Sequence, residues 1–276
     1  MANSNKEYYL TEVDRKLSSI FCMHDLMGET DIPFHKHSKG QFLYTEGGVV
    51  HVITDSQTFF LPARHYMWIP GGVLHSIHPG TATVIMRNLY FPRENNEHEF
   101  YSKIGVYPIN DLLLQMIIYT NRWSGDKKPV DKSAWHFMLS IKCILPEMSR
   151  YNLPLSLPYA KDKRLIAVIK YMEKNLQENI VLSDFGKIMG LSPRTLSRLF
   201  QSDVGMSFVQ YLTIQRLMRA IVLLLEKQLS VKEVASLVGY NSIPTFSNTF
   251  YKILGIRPSE YQKQTLIFTT ETFVAK

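Results

Sequence analysis

Two hydrophobic rhythms divide the chain. From about Ile20 to Phe91, short runs of Val, Ile, Thr, Tyr and Phe stand between turn residues, the pattern of β-strands. QFLYTE (41–46), VVHVIT (49–54) and TFFL (58–61) are three such runs, and ATVIMRNLYF (82–91) reads as a buried strand. Gly47-Gly48, Gly71-Gly72 and Pro79-Gly80 mark turns between them. Strands this short predict a sandwich or small barrel. Residues 1–20 begin polar and predict no element. After Phe91 the segment RENNEHEF (93–100) is a polar connection. The period then becomes helical in INDLLLQMIIYT (109–120) and SAWHFMLSIKCIL (133–145), joined by a loop. With Leu112, Leu113, Met116, Ile117, Trp135, Met138 and Leu139, these helices are apolar on more than one face. They form either an ordinary intrachain layer on the barrel or, in addition, a face for a second subunit. RYNLPLSLP (150–158) has the proline spacing of an interdomain linker.

Beyond the linker the 3.6-residue period dominates. Leu165, Val168, Ile169 and Met172 form one apolar stripe, predicting a helix over 162–175. A breaker-free stretch over 207–227 predicts a second, about 30 Å long at 1.5 Å per residue. On either side of it lies one motif written twice, about fifty residues apart. Gly186 aligns with Ala235, Gly190 with Gly239, Ser192 with Ser242, and Thr195 with Thr245. Leu196 aligns with Phe246, Phe200 with Phe250, Gly205 with Gly255, and Tyr211 with Tyr261. Each copy has helix-turn-helix mechanics. The small residue permits close helix crossing, the glycine four residues on takes the positive φ that ends a helix, and the serine caps the next helix. Pro193 and Pro244 fall within its first turn. Leu196, Leu199 and Phe200 in one copy, and Phe246, Thr249 and Phe250 in the other, point inward. This leaves Arg194, Thr195, Ser197 and Arg198 outward in the first copy, and Ile243, Thr245, Ser247 and Asn248 in the second. Such side chains suit a DNA major groove: arginine pairs with guanine and asparagine with adenine. A helical hairpin can also be purely structural, but two copies with aligned caps favour the groove-reading role.

Charge sharpens this picture. The 276 residues carry a net charge of +7. Residues 161–264 hold 15 Lys and Arg against 8 Asp and Glu, while the remainder balances at 16 of each. All the excess positive charge therefore accompanies the repeats, where phosphate would draw on it. Arg216 and Arg219 of the long helix are within reach of that role. At 45% apolar residues the chain reads as globular. Two cysteines suggest no disulfide framework and fit a reducing cytosol. The opening residues show no secretory pattern, and no apolar run approaches a membrane span. A cytoplasmic, nucleoid-associated protein is expected.

Candidate chemistry in the strand region centres on His35 and His37, two apart and so on one face of a strand, with His75 in IPGGVLHSI. Three imidazoles with the Gln41 amide can hold a divalent metal. Alternatively they line a pocket or hydrogen-bond inside the barrel. Glu46 is a poor carboxylate for such a site, since its parity counted from Gln41 turns it to the opposite face. Tyr44, Met67, Trp68 and Arg87 complete the candidate pocket. Arg87 is placed to meet an anionic ligand, or else to pair with a local carboxylate. The histidine pair and the later proline-glycine loop with its histidine resemble the two motifs of the cupin barrel over about sixty residues.

The C-terminal hundred residues resemble the DNA-binding domain of AraC/XylS bacterial transcription regulators. The resemblance is carried by the spacing from Ala235 to Gly239-Tyr240, then Ser242, Phe246, Phe250, Gly255, Pro258 and Tyr261. It implies a sequence-specific regulator, often dimeric, whose cupin-like half senses a small molecule or dimerises. It also implies double-stranded DNA and RNA polymerase as partners. Its base-reading positions fall on Arg194, Ser197 and Arg198, and in the second copy on Pro244, Thr245 and Asn248. There the family's common arginine is Asn248, and its basic residue after Phe250 is Tyr251, with Lys252 beside it. The first copy is thus expected to dominate specificity, and the second to hold phosphate. The expected architecture is a cupin-like barrel (1–100), a helical layer and linker (101–160), an all-α double helix-turn-helix domain (161–265) and a tail (266–276). The expected function is non-enzymatic regulation. The rival is a cupin metalloenzyme with a nucleic-acid-binding tail.

Overall fold

A computed structural model describes residues 12–26, 31–46, 48–80, 84–149, 152–153, 155–226 and 229–263. The opening decapeptide, Gly47, the start of ATVIMRNLYF, parts of the 150–158 linker, Lys227 and the C-terminal tail lie outside the described residues. The chain forms two compact units. One takes in Met1–Asp55 and Phe60–Leu153, the other Ser56–Phe59 and Pro154–Lys276.

Among the described residues there are eleven strands: β1 (Ile20–Leu26), β2 (Ile32–His35), β3 (Gly40–Glu46), β4 (Val49–Thr54), β5 (Gln57–Pro62), β6 (His65–Ile69), β7 (His75–Pro79), β8 (Ile85–Phe91), β9 (Gly105–Pro108), β10 (Gly125–Lys127) and β11 (Ser156–Pro158). They build a six-stranded sheet, β10-β1-β8-β3-β6-β9, and a five-stranded sheet, β11-β5-β4-β7-β2. Two short strands depart from expectation. The loop after Trp123 contains β10, which pairs with β1. The linker contains β11, which pairs with β5. Three-residue strands leave no alternation to read; their partners define them.

The register of β3 sorts the six-stranded sheet into two faces. Gln41 lies opposite Tyr90 and Ile69, and Leu43 opposite Asn88 and Met67. Phe42 lies opposite Leu89 and Trp68, and Tyr44 opposite Arg87 and Tyr66. Helices α1 (Asp111–Tyr119) and α2 (Lys132–Met148) belong to the second face, since the Tyr66 hydroxyl meets the Ser149 hydroxyl at 2.5 Å just past α2. Leu113, Ile117 and Met138 are buried, whereas Leu112 is 59% exposed. Of the two thiols, Cys22 is buried and Cys143 exposed. Burial pushes the Cys22 thiol up to about 12.

The helical unit contains α3 (Lys163–Lys174), α4 (Leu182–Met189), α5 (Pro193–Val204), α6 (Phe208–Glu226), α7 (Val231–Leu237) and α8 (Ile243–Leu254). The Asp162 side chain caps α3, and all four residues of its predicted stripe are buried. Among the described residues no helix is long and apolar enough to cross a membrane.

Candidate nucleic-acid interface and barrel pocket

Each recognition helix is set by its turn. In the first copy Gly190 takes φ 64°, and the Leu191 amide donates back to the Gly186 carbonyl at 2.8 Å. The Ser192 hydroxyl then accepts from the Thr195 amide at 3.1 Å, and α5 begins at Pro193. The second copy repeats this with Gly239 at φ 79°, Tyr240 donating to Ala235 at 2.9 Å and Ser242 accepting from Thr245 at 3.5 Å. Its α7 also carries a capping box between Ser230 and Glu233. The small residue of α4 lets the turn and the start of α5 come close to it. A Cβ at Gly186 would stand 2.7 Å from the Leu191 carbonyl oxygen, part of the turn backbone.

Leu196, Phe200, Phe246 and Phe250 are fully buried. On the opposite side Arg194, Thr195, Ser197 and Arg198 of α5 are exposed, as are Ile243, Pro244, Thr245 and Asn248 of α8. Ser247 is half-buried and Lys252 exposed. The Thr195 hydroxyl is shared with the Ser192 cap at 2.8 Å. Two further arginines join these surfaces, and neither is marked by the helical period of α5 or α8. Arg164 of α3 lines a recess of about 330 Å³ with Thr195, Arg198, Leu199 and Ser202, and Asp162 clasps its guanidinium at 3.0 and 2.6 Å. Arg257 donates to the Asn248 side-chain oxygen at 2.8 Å. Neither is near its neighbours in a helical-wheel reading, because each reaches across from another segment. Arg216 is not free for phosphate. It donates to the Leu176 and Glu178 carbonyls at 3.1 and 2.8 Å, closing the end of α3. Arg219 is exposed.

Inside the barrel the three predicted histidines meet, with one ring nitrogen of each within 4.8 Å of the other two. Their route differs from the one expected. His35 ends β2, but His37 lies beyond it, so strand parity does not align the pair. The chain between His37 and β3 does so instead. Each Nδ1–H is held by a backbone carbonyl: His35 by Pro33 at 2.8 Å, His37 by Lys39 at 2.7 Å and His75 by Val73 at 2.9 Å. Each Nε2 therefore keeps its lone pair. The Nε2 atoms of His37 and His75 lie 3.1 and 3.2 Å from Oε1 of Gln41. The Gln41 amide points this oxygen inward because its Nε2 donates to Asn88 at 2.7 Å and to the Tyr90 hydroxyl at 3.2 Å. Acceptors thus face acceptors, an arrangement that a shared cation relieves. Burial lowers the affinity of all three rings for protons, with His75 down to about 3 through burial and then the competition of the adjacent His35 ring for a proton. A backbone carbonyl holding each Nδ1–H, with Nε2 left to bind, is what a metal-binding imidazole set requires, so these residues fit a divalent ion.

The other pocket candidates divide by parity. Met67 shares the Gln41 face through its pairing with Leu43, whereas Tyr44, Trp68 and Arg87 occupy the opposite, helix-covered face. They are corrections to the predicted pocket. Arg87 is 2% exposed and donates to Glu46 at 2.6 Å and to Asn121, so a local carboxylate takes the place of an anionic ligand. Trp68 donates its indole N–H to the Tyr101 carbonyl at 3.0 Å. It lines a different cleft of about 580 Å³, with Gly71, Gly72, Arg93, Glu97 and His98 among its walls. The Tyr44 hydroxyl is buried without a hydrogen-bond partner among the described residues.

Comparison with known proteins agrees with this division. Residues 185–264 match the profile of a helix-turn-helix domain, and residues 22–99 that of an AraC-like ligand-binding domain. The chain is 26% identical over 263 residues to the HTH-type transcriptional regulator NimR of Escherichia coli K12, covering 95% of this chain and 93% of that protein. It is 38% identical over 166 residues to the HTH-type transcriptional regulator GbdR of Pseudomonas aeruginosa, covering 60% of this chain and 43% of that protein. Among solved structures, the DNA-binding domain of the global transcriptional factor AdpA in complex with a target DNA is similar at 27% identity and TM-score 0.38, covering 40% of this chain and all of that one. With a ligand-binding domain ahead of two capped helix-turn-helix units, the chain belongs to the AraC family of DNA-binding transcription regulators.

Proposed function

We propose that this regulator reads its operator chiefly through Arg194 and Arg198 of α5 and answers to an effector bound at the histidine-lined interior of its barrel. The observation that carries the first part is the bare face of α5. Its two arginines are exposed on a helix whose start is fixed by the Ser192 cap and whose far side is buried. Guanidinium groups presented this way match guanine O6 and N7. Thr195, Ser197, Pro244, Thr245, Ser247 and Lys252 complete the surface, through phosphate or thymine contacts. The protein works as a cytoplasmic homodimer, with Leu112 on the exposed side of α1 as a candidate subunit contact, and acts on RNA polymerase from the operator. The test is sequence-resolved binding to a genomic fragment library at a fixed salt of about 150 mM, where specific contacts outlast screening. A sharp motif with two half-sites about one helical turn, ~34 Å, apart supports the reading. Salt-sensitive binding without a motif overturns it.

The effector site takes a divalent metal, held by His35, His37, His75 and the Gln41 oxygen. Its support is the inward-facing lone pairs of rings already fixed at Nδ1. Such a donor set suits zinc, nickel, copper or iron. The bound ion would supply positive charge and open positions for an oxygen-donor effector. The groups hydrogen-bonded to Gln41 are an amide and a phenol, which favours sensing over the metalloenzyme reading, since neither is a general base at neutral pH. Elemental analysis of purified protein beside His75→Ala tests it. About one ion per chain, lost in the variant, is expected, and no bound metal in the parent protein would remove the metal from the reading.

A further inference from the structure

We propose that Arg257, which lies outside the recognition helix, completes the base-reading surface of the second helix-turn-helix and makes Asn248 a guanine reader. This rests on the DNA-interface reading above. The sequence of α8, IPTFSNTFYKIL, holds one basic residue, Lys252, in its last turn. Where the first copy has Arg194 and Arg198, it has Pro244 and Asn248. The structure returns the missing charge from another segment. Gly255 takes φ 72° and reverses the chain past the end of α8. Arg257 follows two residues later, its amide donating to Glu260 at 3.3 Å. Its guanidinium comes back over the helix, donating to the Asn248 oxygen at 2.8 Å and lying 4.6 Å from the centre of the Tyr251 ring.

The first copy has the same loop without this device. Ser207 aligns with Arg257, and its amide donates to Gln210 at 2.9 Å as that of Arg257 does to Glu260. The two copies have thus exchanged an arginine between two places. One has arginine in the helix at 198 and serine in the loop at 207. The other has asparagine in the helix at 248 and arginine in the loop at 257. Asn248, Tyr251 and Arg257 are all exposed, so nothing buried requires the contact.

The contact changes what Asn248 offers. An amide nitrogen cannot accept, so the guanidinium donor fixes Oδ1 towards Arg257 and leaves the amide N–H groups outward. Adenine presents a donor beside an acceptor in the major groove, and asparagine reads it with both amide atoms. Guanine presents two acceptors, N7 and O6. Amide and guanidinium N–H groups side by side match guanine, and they oppose the amino group of adenine. Tyr251 holds the guanidinium plane in place by cation–π contact.

Selection of binding sites from randomised duplexes, using the full chain, tests this. The parent protein should select guanine at one position of the second half-site. Arg257→Ala and Asn248→Ala should both lose that preference, with operator affinity falling about 5- to 150-fold, the range of one bidentate base contact. Binding to random DNA should fall less than about 3-fold. Arg257→Lys keeps the charge without the planar fork, and should keep random-DNA binding while losing the guanine preference. Unchanged melting curves would show that each variant is folded. Adenine at that position in the parent protein, or equal losses on operator and random DNA for Arg257→Ala, would overturn the proposal. Arg198→Ala separates the two levels. If it relaxes its own base position while Arg257→Ala changes none, this inference alone fails; if neither changes any, the interface reading fails with it.

Discussion

The two helix-turn-helix copies share an inside and differ on the outside. Their buried phenylalanine positions, turn glycines, serine caps and closing glycines correspond, and Gly205 and Gly255 even share φ, at 74° and 72°. Their outward faces do not correspond. The first carries its guanidinium groups directly on the recognition helix, and the second recruits one from the loop that follows. A helix needs a fixed set of contacts to be held in place, but a groove can be met by any donor brought to the right spot. Architecture therefore repeats where packing sets it, and chemistry varies where only reach matters.

The sharpest attack on this comparison is at the shared inside. Phe200→Ala and Phe250→Ala remove rings of zero exposure, and each should cost about 3–5 kcal/mol in denaturant melts. A large disparity would mean that the copies are not mechanically equivalent. The glycines should separate next. Gly239→Ala would bring a Cβ within 2.3 Å of the Leu176 carbonyl oxygen and 2.5 Å of the Arg216 guanidinium. Strain at positive φ adds to that overlap, for a loss of about 2–5 kcal/mol. Gly190→Ala meets nothing within 4 Å and should lose only the backbone term, about 1–2 kcal/mol. At the outside, Arg198→Ala should weaken operator binding by about 1–3 kcal/mol and relax one base position, while equal losses on random DNA would reduce Arg198 to a phosphate contact. The smallest effect is at the caps. Ser192→Ala should cost about 1 kcal/mol and Ser242→Ala less, since its bond to the Thr245 amide is longer, at 3.5 against 3.1 Å.

Legibility in the sequence follows the same division. Helix α3, both turns, both caps and the buried phenylalanines are local patterns, carried by period, proline and glycine, and the chain spells them out. The histidines were legible as a set, but not by the route assumed: His37 stands off the strand, and a turn brings it to His35 and His75. Parity correctly turned Glu46 away from Gln41. Applied to Tyr44 it would have done the same, but Trp68 and Arg87 needed the register of β6 and β8, which no single strand contains. Strands β10 and β11 are too short to show alternation. Arg257 was hidden for a related reason. It meets Asn248 nine residues away through a left-handed glycine, and neither the helical nor the strand period connects those positions.

The contrast between the two cysteines has a practical consequence. With one thiol enclosed beside the Trp123 carbonyl and the other open on α2, a maleimide dye has a single point of attachment on the native chain. A fluorophore at Cys143 would sit on the strand-rich unit and leave every arginine of the recognition surfaces unmodified. Effector titrations and DNA titrations could then be followed by an optical signal from the natural sequence, without engineering a cysteine.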